Sequence, residues 1–254
     1  MVGTLVLLDR AWYSGYDRSA LHAFDDGHQW LGMDKAGHIF SAYTLGAWGH
    51  RALRACPGRE RAAFWAGGGM GLIFLTGVEL LDGTSSRWGF SWWDMAANAA
   101  GTALYMGQER AWNEQRVVLK LSARHTEFAA MRPDLLGDGP VERYLKDYNG
   151  QTLWASFNLH AFLPESRLPA WLNVAVGLGA TGMVTAGAPL PGDPLAHGLH
   201  RHRRLFIAPD VDLTRIRTRS KVLRTALFVL NSIKVPAPAL EYGGGRLHGH
   251  WAYF

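Results

Sequence analysis

Cysteine is almost absent from this sequence of 254 residues, which contains only Cys56. One thiol cannot form an internal disulfide, and it excludes every zinc cluster that is built from several cysteines. The sequence also lacks a nucleophile elbow around serine, a phosphate loop, a dinucleotide fingerprint and an H-E-x-x-H motif. The sequence therefore contains none of the motifs by which these common enzyme classes are usually identified.

Charged residues are scarce as well, at 19% of the chain, whereas hydrophobic residues make up 48% and tryptophan occurs 11 times. This composition favours a helical protein that faces lipid, and the chain is long enough to bury a large core. A mean hydropathy near zero argues against a transporter with many spans. Residues 1–10 have no basic region and too short an apolar run for a signal peptide, so either the chain lacks export information or its natural start lies upstream.

Two segments are just long enough and apolar enough to cross a membrane. They are residues 62–81 (AAFWAGGGMGLIFLTGVELL) and residues 169–190 (PAWLNVAVGLGATGMVTAGAPL). A buried helix of a soluble domain is the alternative for both. If they span, the arginine-rich connector at residues 51–61 lies on the cytoplasmic side by the positive-inside rule. The opposite end of the helices would then be periplasmic.

Three helices are predicted in the first half: residues 38–54, residues 61–81, and a third from Asp94 to about Arg110. The short connector makes the first two antiparallel, and their similar lengths return the chain to the level at which it began. Three polar clusters therefore fall at one end of the bundle. They are Asp34 with Lys35 and His38, Glu79 with Asp82, and Asp94 with Asn98 and Gly101.

Two functional hypotheses fit this polar end, and we favour the first, a non-catalytic envelope protein that binds a lipid headgroup or another envelope component. The alternative is a membrane-associated hydrolase or transferase that acts on a lipid-linked phosphate, with His38 as general acid or base and Lys35 and Arg87 stabilising anionic charge. The candidate catalytic residues are His38, Lys35, Asp34, Glu79 and Asp94, and the candidate binding residues are Asp82, Ser91, Asn98 and Arg87.

A purely structural role is also open, in which Asp34 and Asp94 cap helices and Lys35 pairs with Glu79 or Asp82. Such a role does not readily explain an ionisable Glu79 inside an apolar run. No cofactor is predicted, although carboxylates of this kind can hold a divalent cation. The predicted partners are a membrane or lipid headgroups and other envelope proteins, and no nucleic acid.

The second half follows a Gly- and Pro-rich break at residues 137–140 and contains a turn signal at Asn149-Gly150. Residues 206–216 partly alternate as in a strand, which Pro209 restricts to an edge or an irregular position. Residues 220–234 carry one apolar stripe and predict an amphipathic helix, and a basic segment precedes it.

Together these patterns predict a mainly α fold. It is a membrane-associated helical bundle with an irregular C-terminal region that contains a short strand-like segment and an amphipathic helix. Residues 1–127 form the bundle with the polar clusters. Residues 128–254 form the second part of the same domain, with an apolar Gly-rich helix, the basic segment and the amphipathic helix.

Several blocks resemble the YfiM-type periplasmic lipoproteins, an uncharacterised family, and its longer Bacteroidetes-type members in particular. The blocks cover nearly the whole chain: MDKAGH (33–38), VELLDG (78–83), WGFSWWDMAANAAG (88–101), LKDYNGQTLW (145–154), WLNVAVGLGATGM (171–183), DVDLTRIRTRS (210–220) and KVPAPALE (234–241).

The first half is also similar, more distantly, to VanZ-like membrane proteins, in which a D-K-x-x-H helix start, an acidic end of a second helix and an S-x-x-D-x-x-x-N-x-x-G third helix recur. The matching positions are Asp34, Lys35, His38, Glu79, Ser91, Asp94, Asn98 and Gly101. Both resemblances imply a location in the bacterial cell envelope, and neither implies a reaction.

Overall fold

The computed structural model describes residues 2–10, 16–190, 192–195 and 197–254. These residues form two compact units. The helical unit lies within residues 1–27 and 35–115, and the sheet unit within residues 28–34 and 116–254.

Helices dominate the first unit. They are α1 (Val2–Leu8), α2 (Met33–Arg54, whose first two residues belong to the sheet unit), α3 (Glu60–Ala62), which continues as a π-helical turn (Ala63–Gly67), α4 (Met70–Gly83) and α5 (Trp92–Trp112). The three long helices predicted from the sequence are therefore confirmed. A left-handed Asn113 ends α5, as is common at helix C-termini.

Glycines allow the long helices to approach closely. A Cβ at Gly71 of α4 would collide with the backbone of Ala42 in α2, and a Cβ at Gly101 of α5 would collide with the backbone of Ile39. Backbone contact at these points replaces the side-chain layer that usually separates helices. Gly101, one of the predicted cluster positions, thus serves the packing of α5 on α2.

One helical stretch in the described residues, Glu60–Gly83, is long and apolar enough to cross a membrane when judged by length and composition alone. The core helix of a soluble protein can satisfy the same criterion, so we assign no span. The other predicted span, at residues 169–190, is wrong. Its centre is a β-strand, Leu172–Thr181.

The second unit is built on one antiparallel sheet whose strands follow one another in chain order. The strands are β1 (Val117–Ala123), β2 (Gln151–Asn158), β3 (Leu172–Thr181), β4 (His202–Val211), β5 (Ala237–Gly243) and β6 (Arg246–Tyr253). Short helices lie between them: α6 (Phe128–Met131), α7 (Pro133–Leu136), α8 (Pro140–Lys146), α9 (Leu159–Phe162) and the longer α10 (Lys221–Leu230).

The sheet contradicts the predicted mainly α fold, because the described residues combine helices with a six-stranded sheet. The apolar run in β3 resembled a helix rich in small residues. Its buried positions include Ala175, Gly177 and Gly179, and a Cβ at Gly177 would collide with the ring of Trp154. Small residues therefore make room for a large ring across the sheet. The length of an apolar run alone does not distinguish this strand from a helix.

Two other local predictions for this half, the turn and the amphipathic helix, are confirmed. The turn at Asn149-Gly150 precedes β2, and the amphipathic helix is α10, which Ser220 caps by accepting a hydrogen bond from the backbone of Leu223. The strand-like segment is β4, but it lies inside the sheet rather than at an edge. Pro209 is tolerated there because β4 pairs with β5 only over Arg204–Ile207.

Candidate functional site

A polar cluster forms in the helical unit where α2, α4, α5 and the loop before α2 meet. Its members are Asp26, Lys35, His38, Glu79, Ser91, Asp94 and Asn98. The sequence predicted that all of these except Asp26 would come together. Asp94 and Asn98 lie one helical turn apart on α5, so both side chains point to the same face.

Ser91 connects three parts of the cluster at the start of α5. Its hydroxyl oxygen accepts a hydrogen bond from the backbone N–H of Asp94 at 3.1 Å, which caps the helix, and its hydroxyl donates to Asp26 at 2.5 Å. Its backbone N–H donates to Oε2 of Glu79 at 3.1 Å. The end of α4 and the preceding loop are thereby fixed to the first turn of α5.

Lys35 lies between two carboxylates. Its Nζ is 2.6 Å from Asp26 and 2.8 Å from Asp94. Burial alone would raise the pKa of Asp26, but hydrogen bonds from Lys35 and Ser91 outweigh it and hold that pKa below its ordinary value. The positive charge of Lys35 is therefore already balanced within the protein, which weakens its predicted role in stabilising an anionic substrate.

His38 has a different environment at each ring nitrogen. Its Nδ1 lies 2.9 Å from Oδ1 of Asn98, and since that oxygen can only accept, Nδ1 carries the hydrogen. Its Nε2 lies 3.9 Å from Oε1 of Glu79 and 3.8 Å from Oδ1 of Asp94. Asn98 thus orients the ring so that Nε2 faces one oxygen of each of two carboxylates.

Glu79 is the least compensated member of the cluster. The residue is only 1% exposed, and its Oε1 has no hydrogen-bond partner among the described residues. Burial, followed by the nearby negative charge of Asp94, raises the pKa of Glu79 to about 8. In the absence of another cation, this carboxyl group therefore holds a proton at neutral pH.

The remaining predicted residues make other contacts. Asp34 accepts a hydrogen bond from the hydroxyl of Tyr148 at 2.7 Å, and both belong to the sheet unit. Asp82 contributes a further negative charge that raises the pKa of Glu79. Arg87 is exposed, with its guanidinium 5.1 Å from the ring centre of Tyr16, so the structure does not bring it into the cluster.

Asp26 is the cluster residue that sequence reasoning missed. It belongs to the segment DDG at residues 25–27, whose composition indicates only a turn. Its contacts with Lys35 and Ser91 join positions nine and sixty-five residues away along the chain. A turn signal does not specify partners at such separations, whereas helical spacing does specify neighbours on one face.

Comparison with known proteins bears on the segment that contains the cluster. Residues 23–107 match the profile of a family described as "Predicted periplasmic lipoprotein (DUF2279)". This segment resembles a periplasmic lipoprotein domain of unknown function. The match includes every residue of the cluster and supports the predicted location in the cell envelope. It does not support the narrower predictions of a YfiM-type or a VanZ-like protein. No curated protein and no solved structure matches the chain significantly.

Proposed function

We propose that this chain is a cell-envelope protein whose helical unit binds a divalent metal ion between His38, Glu79 and Asp94. The observation that carries the proposal is the position of His38 Nε2, at 3.9 and 3.8 Å from one oxygen of each carboxylate. Ligand atoms about 2.0–2.2 Å from a tetrahedral Zn²⁺ lie roughly 3.3–3.6 Å from one another. The two distances from His38 Nε2 exceed this separation by only a few tenths of an ångström.

The charge balance of the cluster supports a cation. The cluster contains three carboxylates, those of Asp26, Glu79 and Asp94, and one ammonium group, that of Lys35, which contacts Asp26 and Asp94. When all three are ionised and His38 is neutral, two negative charges are left in a largely buried region, and a divalent ion would neutralise them.

The hydrogen bond from His38 to Asn98 also supports metal binding. A histidine that binds a metal through one nitrogen usually donates its other N–H to a fixed oxygen, which sets the ring orientation and the tautomer. Asn98 supplies this oxygen at 2.9 Å and is fully buried, so its own position is set by packing. A ligand of this kind is arranged before an ion arrives, which lowers the cost of binding.

The same balance bears on the headgroup hypothesis from the sequence. The excess of carboxylates in the cluster would repel an anionic headgroup. Lys35 cannot offset this repulsion, because its ammonium group already forms ion pairs with Asp26 and Asp94. We therefore propose the non-catalytic binding role in a modified form, with a metal ion as the ligand of the cluster. Membrane association, lipid headgroups, other envelope proteins as partners and a periplasmic position of the cluster stay predictions.

A hydrolase or transferase that acts on a lipid-linked phosphate is the second candidate. It is favoured by the pKa of Glu79 near 8, which suits a group that gives and takes a proton close to neutral pH. A bound ion could in addition lower the pKa of a water molecule. Hydrolysis of p-nitrophenyl phosphate in the presence of Mn²⁺, lost in the variant Glu79→Gln, would support this candidate over simple binding.

The metal proposal is tested by titrating chelator-treated full chain with Zn²⁺ and with Mn²⁺ in a calorimeter. We expect one site per chain, and at least tenfold weaker binding in the variants His38→Ala and Glu79→Gln. Glu60→Gln removes an exposed carboxylate of the same unit and serves as the matched control. Circular dichroism confirms that each variant is folded. Absence of binding by the folded wild type, or equal affinity in all four proteins, would exclude the site.

A further inference from the structure

Along β4 and β5 of the sheet unit, large apolar side chains are exposed, and charged side chains lie among the buried residues. On β4 the exposed positions include Leu205 and Ile207, each about half exposed, whereas Arg204 and Asp210 are buried. On β5 the exposed positions include Leu240 and Tyr242, and Glu241 between them is buried. The exposed face of an antiparallel sheet in water is normally polar. We call the exposed side of β4 and β5 the outer face.

A cleft interrupts the outer face where β4 and β5 separate. The two strands pair over four residues each and then diverge, although both continue. The cleft has a volume of about 590 Å³, within the range of about 300–1,000 Å³ that is typical of small-molecule sites. Its lining is almost entirely apolar and includes Ile207, Pro209, Pro238, Leu240, Gly249 and Trp251.

The sequence itself keeps these strands apart. Pro209 of β4 and Pro238 of β5 both line the cleft, and neither has an N–H with which to extend the ladder. The carbonyl of Pro209 accepts a hydrogen bond from Nζ of the buried Lys234 at 2.9 Å, so it does not require a strand partner. The two prolines and the bonded carbonyl of Pro209 are therefore compatible with separated strands at this point.

A positive charge lies at the far end of the same row of side chains. Arg203 is exposed on the outer face of β4, and its Nε donates to the backbone carbonyl of Leu31 at 2.8 Å, which fixes the start of the side-chain fork. Pro209 follows Arg203 by six positions along the strand, a distance of about 20 Å. Leu205 and Ile207 lie between them. The outer face thus presents an apolar path with a cation at one end and a cleft at the other.

We propose that this path binds one acyl chain of an anionic lipid, with the headgroup at Arg203 and the end of the chain in the cleft. A bilayer whose hydrocarbon core is about 30 Å thick contains two chains end to end, so one chain is of the order of the length of this path. The charge at Arg203 complements an anionic headgroup, and the cell-envelope location that the family match supports provides such lipids. This proposal is independent of the metal site.

Filling the cleft is the sharpest test. A Cβ added at Gly249 meets no heavy atom within 4 Å, so the ring of a Gly249→Phe variant can enter the cleft without disturbing the strands. Gly187, in the same unit and outside the cleft, has equally open surroundings, and Gly187→Phe is the matched control. We expect calorimetric titration with palmitate to show at least tenfold weaker binding for Gly249→Phe and a change below twofold for Gly187→Phe.

Two further measurements separate the acyl chain from the headgroup. Affinity should rise about fourfold for each methylene group between decanoate and palmitate, because each buried methylene contributes about 0.8 kcal/mol. Arg203→Gln should weaken palmitate binding severalfold and make it less dependent on salt concentration. The same variant should bind the neutral palmityl alcohol as tightly as the wild type does.

The proposal is overturned if the folded wild type does not bind palmitate, or if Gly249→Phe binds it as tightly as the wild type does. Light scattering gives a separate check. If the wild type forms a dimer that Gly249→Phe dissociates, and palmitate does not compete with dimerisation, the outer face is an interface between two copies and the lipid assignment is wrong.

Discussion

The two units each bury a polar cluster, and the two clusters differ in how completely their charges are compensated. In the sheet unit, Asp210 lies 2.8 Å from Lys120 and 3.3 Å from Lys234 and accepts a hydrogen bond from the hydroxyl of Ser156 at 2.6 Å. In the helical unit, Glu79 accepts one backbone hydrogen bond, from Ser91, and its other oxygen faces His38 at 3.9 Å.

The pKa values follow this difference. Burial would raise the pKa of Asp210, but the charge and hydrogen bond of Lys120 outweigh it, and the pKa lies below its ordinary value. Burial of Glu79 has no such counterweight, and the pKa rises to about 8. Depth of burial alone therefore does not separate a structural cluster from a functional one. The donors present do, because those around Asp210 keep its carboxyl group ionised and those around Glu79 do not.

The largest expected effect comes from breaking the compensated cluster. Asp210→Asn leaves Lys120 and Lys234 buried without their counter-ion, and removal of one partner from a buried ion pair costs about 3–5 kcal/mol. We expect a loss of that size in the free energy of unfolding, measured by urea titration. Metal affinity should not change, because Asp210 belongs to the other unit. A loss below about 1 kcal/mol would show that the cluster does not stabilise the sheet.

The corresponding substitution in the helical cluster should increase the free energy of unfolding, whereas Asp210→Asn should decrease it. Glu79→Gln removes a buried carboxylate whose charge is poorly compensated, so at pH 8 in the presence of a chelator we expect the variant to be more stable by about 1–3 kcal/mol. Added Zn²⁺ should stabilise only the wild type and narrow the difference. A variant that is less stable than the wild type under metal-free conditions would place Glu79 among the structural residues.

The sequence predicted these two clusters very unequally. Helical spacing, the short connector and an acidic residue at the end of an apolar run were enough to bring His38, Glu79 and Asp94 together, because neighbours on a helix face follow from local geometry. Asp26 was missed because it lies in a loop, where local composition does not determine the partner.

The sheet cluster could not be found because polar and apolar residues are mixed on the buried face of the strands. Strand patterns are normally identified by apolar residues on the buried face, but the buried positions of β1 include Lys120 and Ser122. In β3 the buried positions are mostly small, so the segment has the composition of a closely packed helix. The physical reason for both errors is that the buried face of this sheet combines polar, small and aromatic residues, and exposed positions of β4 and β5 are apolar.

The smallest expected effect is the change in stability over a single pH unit, which separates the two clusters without a change of charge in the sheet unit. The pKa of Glu79 is raised from 4.5 to about 8, so between these values the folded state binds more protons than the unfolded state. The free energy of unfolding should therefore decrease as pH rises from 4.5 to 8, by up to roughly 1 kcal/mol per pH unit. Urea titrations of metal-free wild type and Glu79→Gln at several pH values should show their difference growing through this interval and becoming constant above it. Parallel curves would mean that Glu79 ionises as freely in the folded chain as in the unfolded one, and the contrast with Asp210 would then disappear.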